Sequence, residues 1–189
     1  MASARSVARV LVPGAVAAGV YVLLARGSLT IDLGIGRRFR PLGPLTVGIA
    51  APREVVFDVI SAPYLGRTPH VMQAKLRVLE RGTDAVLAEH FTRVGPITTS
   101  TVETVVFERP ERVRFRLVRG PVPHVVEAFA LDETDDGNTE LVYTGEIGAD
   151  LWALGEWWTR KVAGHWEATV RRSLDDVRAE AERLARRRR

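Results

Sequence analysis

Between residues 72 and 147 the apolar positions recur at every second residue, and after residue 150 they recur at helical spacing. No single element satisfies both periods. The chain must therefore pass from a run of strands into a helix, and the two must bury their apolar faces against each other. The alternation is cleanest in "RVRFRLVRG" (112–120), where Val113, Phe115 and Leu117 oppose Arg112, Arg114 and Arg116. That pattern describes one buried face and one solvated face. "MQAKLRVLE" (72–80), "AVLAEHFTRV" (85–94), "ITTSTVETVVFE" (97–108), "HVVEAFALDE" (124–133) and "TELVYTGEI" (139–147) complete a meander. Short turns such as "DDGN" join these stretches, so neighbours pair antiparallel. From Asp150 onward, Trp158, Val162, His165, Thr169, Leu174, Val177, Ala181 and Leu184 share one side of a long helix, with Gly155 as a candidate break after its first turn.

Ahead of the meander, "LTVGIA" (45–50) reads as a short strand. "PREVVFDVI" reads as a helix opened by Pro52, with Val55, Val56, Val59 and Ile60 at helical spacing. Residues 27–44 contain Gly27, Gly34, Gly36, Pro41, Gly43 and Pro44 and read as a linker. Residues 7–25 form an apolar run whose one charge is Arg9, near the lower limit for a spanning helix. A membrane anchor, a signal peptide and a helix of the core all fit such a run. A small-residue cleavage site is lacking after it, which favours an anchor over residues 1–26. Arg26, Arg37, Arg38 and Arg40 follow its uncharged part (10–25), against Arg5 and Arg9 before that part. This bias favours a single-pass protein of the cell membrane with its domain on the cytoplasmic side.

The length of 189 residues suits one domain with a short appendage. The absence of cysteine excludes disulfides, thiolate metal sites and cysteine nucleophiles. The net charge of +4 owes much to a basic tail ending in Arg186–Arg189. The basic strand 112–120 puts its single aromatic residue, Phe115, on the face opposite Arg112, Arg114 and Arg116, so nucleic acid is not an expected partner. His70, His90, His124 and His165 lack metal-ligand spacing, and neither a phosphate-binding glycine loop nor a nucleophile elbow occurs. No metal, cofactor or catalytic residue is therefore expected.

Three strings, "IAAPREVVFDVISAP" (49–63), "VETVVFERPERVRF" (102–115) and "FALDETDDGNTELVYTGEI" (129–147), stand in the order strand, helix, meander, long helix. In this they resemble the START-like (SRPBCC, polyketide cyclase/dehydrase-like) superfamily. The resemblance implies an α+β helix-grip fold, in which a curved antiparallel sheet grips a long C-terminal helix around a cavity. It places that domain at residues 45–185, between the linker at 27–44 and the tail at 186–189. Members bind lipids, sterols, polyketides, quinones or hormones, and a minority are enzymes. The superfamily has no universal catalytic motif to carry over. An N-terminal transmembrane helix departs from most members, which are soluble.

If Phe107, Phe115, Phe129 and Tyr143 mark the inward face, parity adds Glu103, Leu117, Arg119, Glu127 and Leu141 to it. Trp158, Val162 and His165 would form the helix wall. Arg119 is expected to pair with Glu127 or Glu103, because an unpaired buried charge is costly. The polar members read as an anchor for a ligand head group, as an acid–base set, or as an ion pair at an open strand end. Trp166 reads as core, Trp158 as core or ligand wall, and Trp152 and Trp157 as residues suited to a bilayer interface. The expected function is membrane-tethered binding of a hydrophobic or amphipathic small molecule such as a lipid, quinone or polyketide. The alternatives are a cyclase or dehydratase using His165, Glu127 or Tyr143, and an interaction module whose interior is filled by its own side chains.

Overall fold

The computed structural model describes residues 16–66 and 74–188. A helix, α1, is described over residues 16–25. It is followed by β1 (Arg38–Ile49), α2 (Arg53–Leu65), β2 (Leu76–Arg81), β3 (Ala85–Val94), β4 (Ile97–Glu108), β5 (Arg112–Arg119), β6 (His124–Glu133), β7 (Thr139–Ala149) and α3 (Trp152–Arg188). The strands make one antiparallel sheet in the order β1-β7-β6-β5-β4-β3-β2. The meander supplies β2 to β7. The chain leaves β1 through α2 and crosses to the far edge at β2, and the meander returns until β7 pairs with β1.

One face of this sheet is lined by Val105, Phe107, Val113, Phe115, Leu117, Leu131, Leu141, Tyr143 and Ile147, all buried. Removing a side chain of this size from water contributes about 1.5–3 kcal/mol. α3 lies across β1 and β7 on that face, and α2 packs against α3. In α2, Val55, Val56, Phe57 and Ile60 are buried, and Glu54 lies in the first turn, where a negative charge suits the helix dipole. The buried stripe of α3 runs through Gly155, Thr159, Ala163, Val170, Leu174, Ala181 and Ala185. Its residues are mostly small, which lets the helix lie close to β1 and β7. Gly155 does not break the helix. A Cβ there would meet the Asp150 carbonyl oxygen at 1.8 Å, so glycine serves close approach instead.

The segment read as a linker is largely built into the domain. Residues 38–44 belong to β1, with a register irregularity between Leu42 and Leu45 that absorbs Gly43 and Pro44. Glycines and prolines at a bulge look like a linker in the sequence, which hid this half of the strand. Upstream, the Thr30 hydroxyl donates to the Gly120 carbonyl at 2.6 Å. Buried Asp150 accepts from the amides of Leu33 (2.5 Å) and Gly34 (2.8 Å) and from Arg37 Nε (2.6 Å). Arg37 holds the Asp150 carboxyl down at about 2, with the two amides adding to the effect.

α1 ends on the domain as well. The Arg26 carbonyl accepts from the Ser100 amide at 2.9 Å, and Tyr21 packs edge-on to Trp158. Residues 7–15 of the expected anchor lie outside the described residues, as do His70 and Met72. Among the described residues no helix is long and apolar enough to cross a membrane.

Candidate functional site

Cross-strand register sets the inward face. Phe115 aligns with Glu127, Phe129 with Tyr143, and Leu131 with Leu141. Glu103 aligns with Leu117 on one side and Ala88 on the other. Partners in register share a face, so Glu103, Phe115, Leu117, Glu127, Phe129, Leu141 and Tyr143 all point toward α3. Ring contacts run continuously from Phe57 through Phe107, Tyr64, Phe115 and Phe129 to Tyr143. The inward face is thus an aromatic wall interrupted by two carboxylates.

Glu127 is buried on β6. Its Oε1 accepts from the Tyr143 hydroxyl at 2.7 Å and from Trp166 Nε1 at 2.8 Å. Burial pushes its carboxyl up to about 7; nearby Glu103 adds to the rise, and the two hydrogen bonds oppose it. Burial and the Glu127 charge in turn raise the Tyr143 phenol. Glu103 accepts from the Thr101 hydroxyl at 2.7 Å. Its Oε2 lies 3.4 Å from His90 Nδ1, a buried nitrogen without a hydrogen bond among the described residues. The other ring nitrogen, Nε2, meets the Tyr64 hydroxyl at 2.9 Å. Burial raises Tyr64, and the charges of Glu103 and Glu127 raise it further. Two acid centres therefore share one apolar interior, each tied to a phenol: Tyr143 directly on Glu127, and Tyr64 through His90 toward Glu103.

Two expected members stand elsewhere. Arg119 does not face inward. The register shifts between Val102 and Glu103, which pair with Arg119 and Leu117 respectively. Val118 is the extra residue, and it turns Arg119 to the outer face. There Arg119 approaches Glu89 at 3.1 Å with its side chain 52% exposed, rather than Glu127 or Glu103. Glu89 also takes the Ser100 hydroxyl and Arg77, and these hold it below the ordinary carboxylate range, Ser100 foremost. His165 is exposed on α3 and forms no part of the wall. The stripe of Trp158, Val162 and His165 sits roughly a quarter turn from the buried stripe, given ~100° per residue. Trp158 and Val162 still flank the core, half-buried, and Trp158 Nε1 donates to the Pro121 carbonyl at 2.7 Å. Trp166 takes the place expected of His165, and it does so with a hydrogen bond to Glu127.

Sequence reasoning missed Tyr64, His90 and Thr101. Thr101 and His90 were within its reach, since both share parity with inward residues: Thr101 with Glu103, and His90 with Val86 and Ala88. Tyr64 follows Pro63 in the last turn of α2, beyond the apolar positions Val55, Val56, Val59 and Ile60 that mark the helix in the sequence. Among the described residues no cluster of His, Asp and Glu has the grouping to hold a metal ion.

Residues 45–182 match the family model described as polyketide cyclase/dehydrase and lipid transport. The chain belongs to that family. No curated protein matches it at a significant level. Among solved structures, the Zhui aromatase/cyclase from Streptomyces sp. R1128 is similar over 78% of this chain and 94% of its own, at TM-score 0.62 and 19% identity. Norcoclaurine synthase from Thalictrum flavum, in complex with dopamine and hydroxybenzaldehyde, is similar over 82% of this chain and 90% of its own, at TM-score 0.60 and 11% identity. A START superfamily protein from Mycobacterium smegmatis is similar over 77% of this chain and 98% of its own, at TM-score 0.54 and 14% identity. At these identities the likeness is one of fold, and it agrees with the family: this member of the polyketide cyclase/dehydrase and lipid transport family has the helix-grip architecture.

Proposed function

We propose that this domain binds a neutral amphipathic small molecule between the inward sheet face and α3, with the polar end of the ligand at Glu127. The carrying observation is the buried carboxyl of Glu127, held by Tyr143 and Trp166 in an aromatic surround beside a second acid, Glu103. A protonated Glu127 donates to a carbonyl, and an ionised one accepts from a hydroxyl, so quinone-like, polyketide-like and alcohol head groups all suit it. A carboxylate head group does not, because two acids on the same apolar face repel it at short range and low dielectric. The proposal includes tethering through residues 7–25, with the domain on the cytoplasmic side. The apolar run and the arginines that follow it support that reading. A tether suits a ligand that partitions into lipid.

A second reading, proton transfer on a carbonyl compound, is favoured by one specific feature. A carboxyl poised at about 7 exchanges protons readily near neutral pH, and Tyr143 already bonds it. Turnover would appear as a rate that falls with Glu127→Gln while ligand affinity holds.

The binding reading is tested by displacing an apolar fluorescent probe from the detergent-purified full chain. The competitors are a long-chain alcohol and the fatty acid of equal chain length, at about pH 8, where Glu127 is ionised. The alcohol is expected to displace the probe at a concentration at least ~10-fold lower, the size of one charge repulsion at partial burial. Fatty acid binding equal to or tighter than the alcohol would reject Glu127 as the head-group anchor.

A further inference from the structure

Apart from the aromatic wall, β1 and the start of α3 border a concavity of about 320 Å³. Its lining is Arg38, Phe39, Arg40, Pro41, Glu156, Thr159 and Arg160. Three arginines meet one glutamate here. Glu156 is shared between Arg38 (3.3 Å) and Arg160 (3.1 Å), and the Arg40 guanidinium has no ion pair or hydrogen bond among the described residues. The Thr159 hydroxyl is buried, its residue only 2% exposed, and has no hydrogen-bond partner among the described residues. An unsatisfied buried hydroxyl is costly unless an acceptor reaches it, and the exposed Arg40 guanidinium lines the same cleft. Several donors converging with excess positive charge fit a phosphate group.

The surroundings say which phosphate. Trp152, Leu154 and Trp157 are exposed on the same first turns of α3 that carry Glu156, Thr159 and Arg160. Trp152 covers Gly36, which brings exposed Leu33 and Ile35 beside it. The Lys161 ammonium sits over the Trp157 ring at 5.9 Å. Trp157 packs on Trp158, which meets Tyr21 of α1. An exposed indole flanked by aliphatic side chains at the edge of a cationic cleft is the pattern of a bilayer interface, and a free phosphate in solution would have no use for it. We propose that the β1–α3 cleft binds the phosphate of an anionic phospholipid, with Trp152 and its neighbours Leu33 and Ile35 in the acyl boundary. This rests on the membrane attachment proposed above, and it fixes the orientation of the domain on the lipid surface.

The test uses the full chain in neutral detergent micelles, so it does not require residues 7–25 to span a bilayer. Binding of phosphatidylglycerol, diacylglycerol of the same acyl length, and inorganic phosphate is measured by native mass spectrometry and titration. Phosphatidylglycerol is expected to bind at least ~10-fold more tightly than diacylglycerol, the value of one charge-assisted hydrogen bond set. Arg40→Gln and Thr159→Val should each weaken it about 5- to 10-fold and leave diacylglycerol unchanged. Arg40 is exposed, so its replacement does not threaten the fold, and Arg40→Gln remains decisive if the Thr159 variant loses stability. Unchanged phosphatidylglycerol binding in Arg40→Gln would overturn the site, and inorganic phosphate binding as tightly as the lipid would overturn the lipid assignment. Probe binding at Glu127 should be the same in both variants, which separates failure here from failure of the interior site.

Discussion

Replacing Glu127 with Gln is expected to raise stability by less than about 1 kcal/mol at pH 5 and by about 3 kcal/mol at pH 8. The folded carboxyl is pushed up from its ordinary value near 4.5 to about 7. Each unit of such a shift corresponds to about 1.4 kcal/mol of preference for the protonated form in the folded state. The folded protein thus holds this proton more tightly than the unfolded chain does. The contribution of this carboxyl to stability is greatest below about pH 4.5, falls as pH rises toward 7, and levels off above. Gln keeps the side-chain oxygen that accepts from Tyr143 and Trp166 and removes the charge that burial penalises. Denaturant unfolding of both proteins across this pH range measures the difference. Curves that stay parallel throughout would mean that Glu127 titrates like a solvated acid.

Asp150→Asn should cost about 3 kcal/mol and release the lead-in to the domain. The Asp150 carboxylate is fully buried and accepts from Leu33, Gly34 and Arg37 at once. An amide cannot receive all three donors, and Arg37, whose side chain is 22% exposed, would keep Asp32 alone as its ionic partner. Breaking a buried pair by removing one charge costs ~3–5 kcal/mol, with the lower end suited to a partner that reaches water. The contribution is present above about pH 4 and lost as pH falls through about 2, because the folded carboxyl is depressed. Hydrogen exchange at Leu33 and Gly34 should quicken along with the loss in melting temperature. Slow exchange at both amides in the variant would show that other contacts hold the segment.

Which features are legible in the sequence depends on the physical rule that governs each residue. Alternation in β5 and β6 marks Phe115, Leu117, Glu127 and Phe129 as inward, and the sheet register agrees, because pleat direction is a local property. Arg119 escaped the same rule through one inserted residue, Val118, whose bulge depends on how β4 pairs with β5. His165 and Trp166 illustrate a second limit. Both lie on a helix with apolar residues on several sides, and the rotation of α3 is chosen by its small residues, Gly155, Ala163 and Ala181, packing closely against the neighbouring elements. Helical spacing alone carries no preference for that stripe over the one through Trp158. The lead-in at 27–37 reads as a linker since its partners, Gly120 and Asp150, lie far along the chain. The pairing of Tyr64 with His90 likewise joins α2 to β3, and no local pattern announces it.

Occupancy of the inward face by an amphipathic molecule at Glu127 can be read by native mass spectrometry of the detergent-purified full chain, released from the micelle under gentle activation. The expected result is a population carrying one additional small molecule that is neutral in charge, reduced in the Glu127→Gln and Trp166→Phe variants, and displaced by a long-chain alcohol. A bound carboxylic acid, or a bare protein mass that long-chain alcohols never increase, would contradict it.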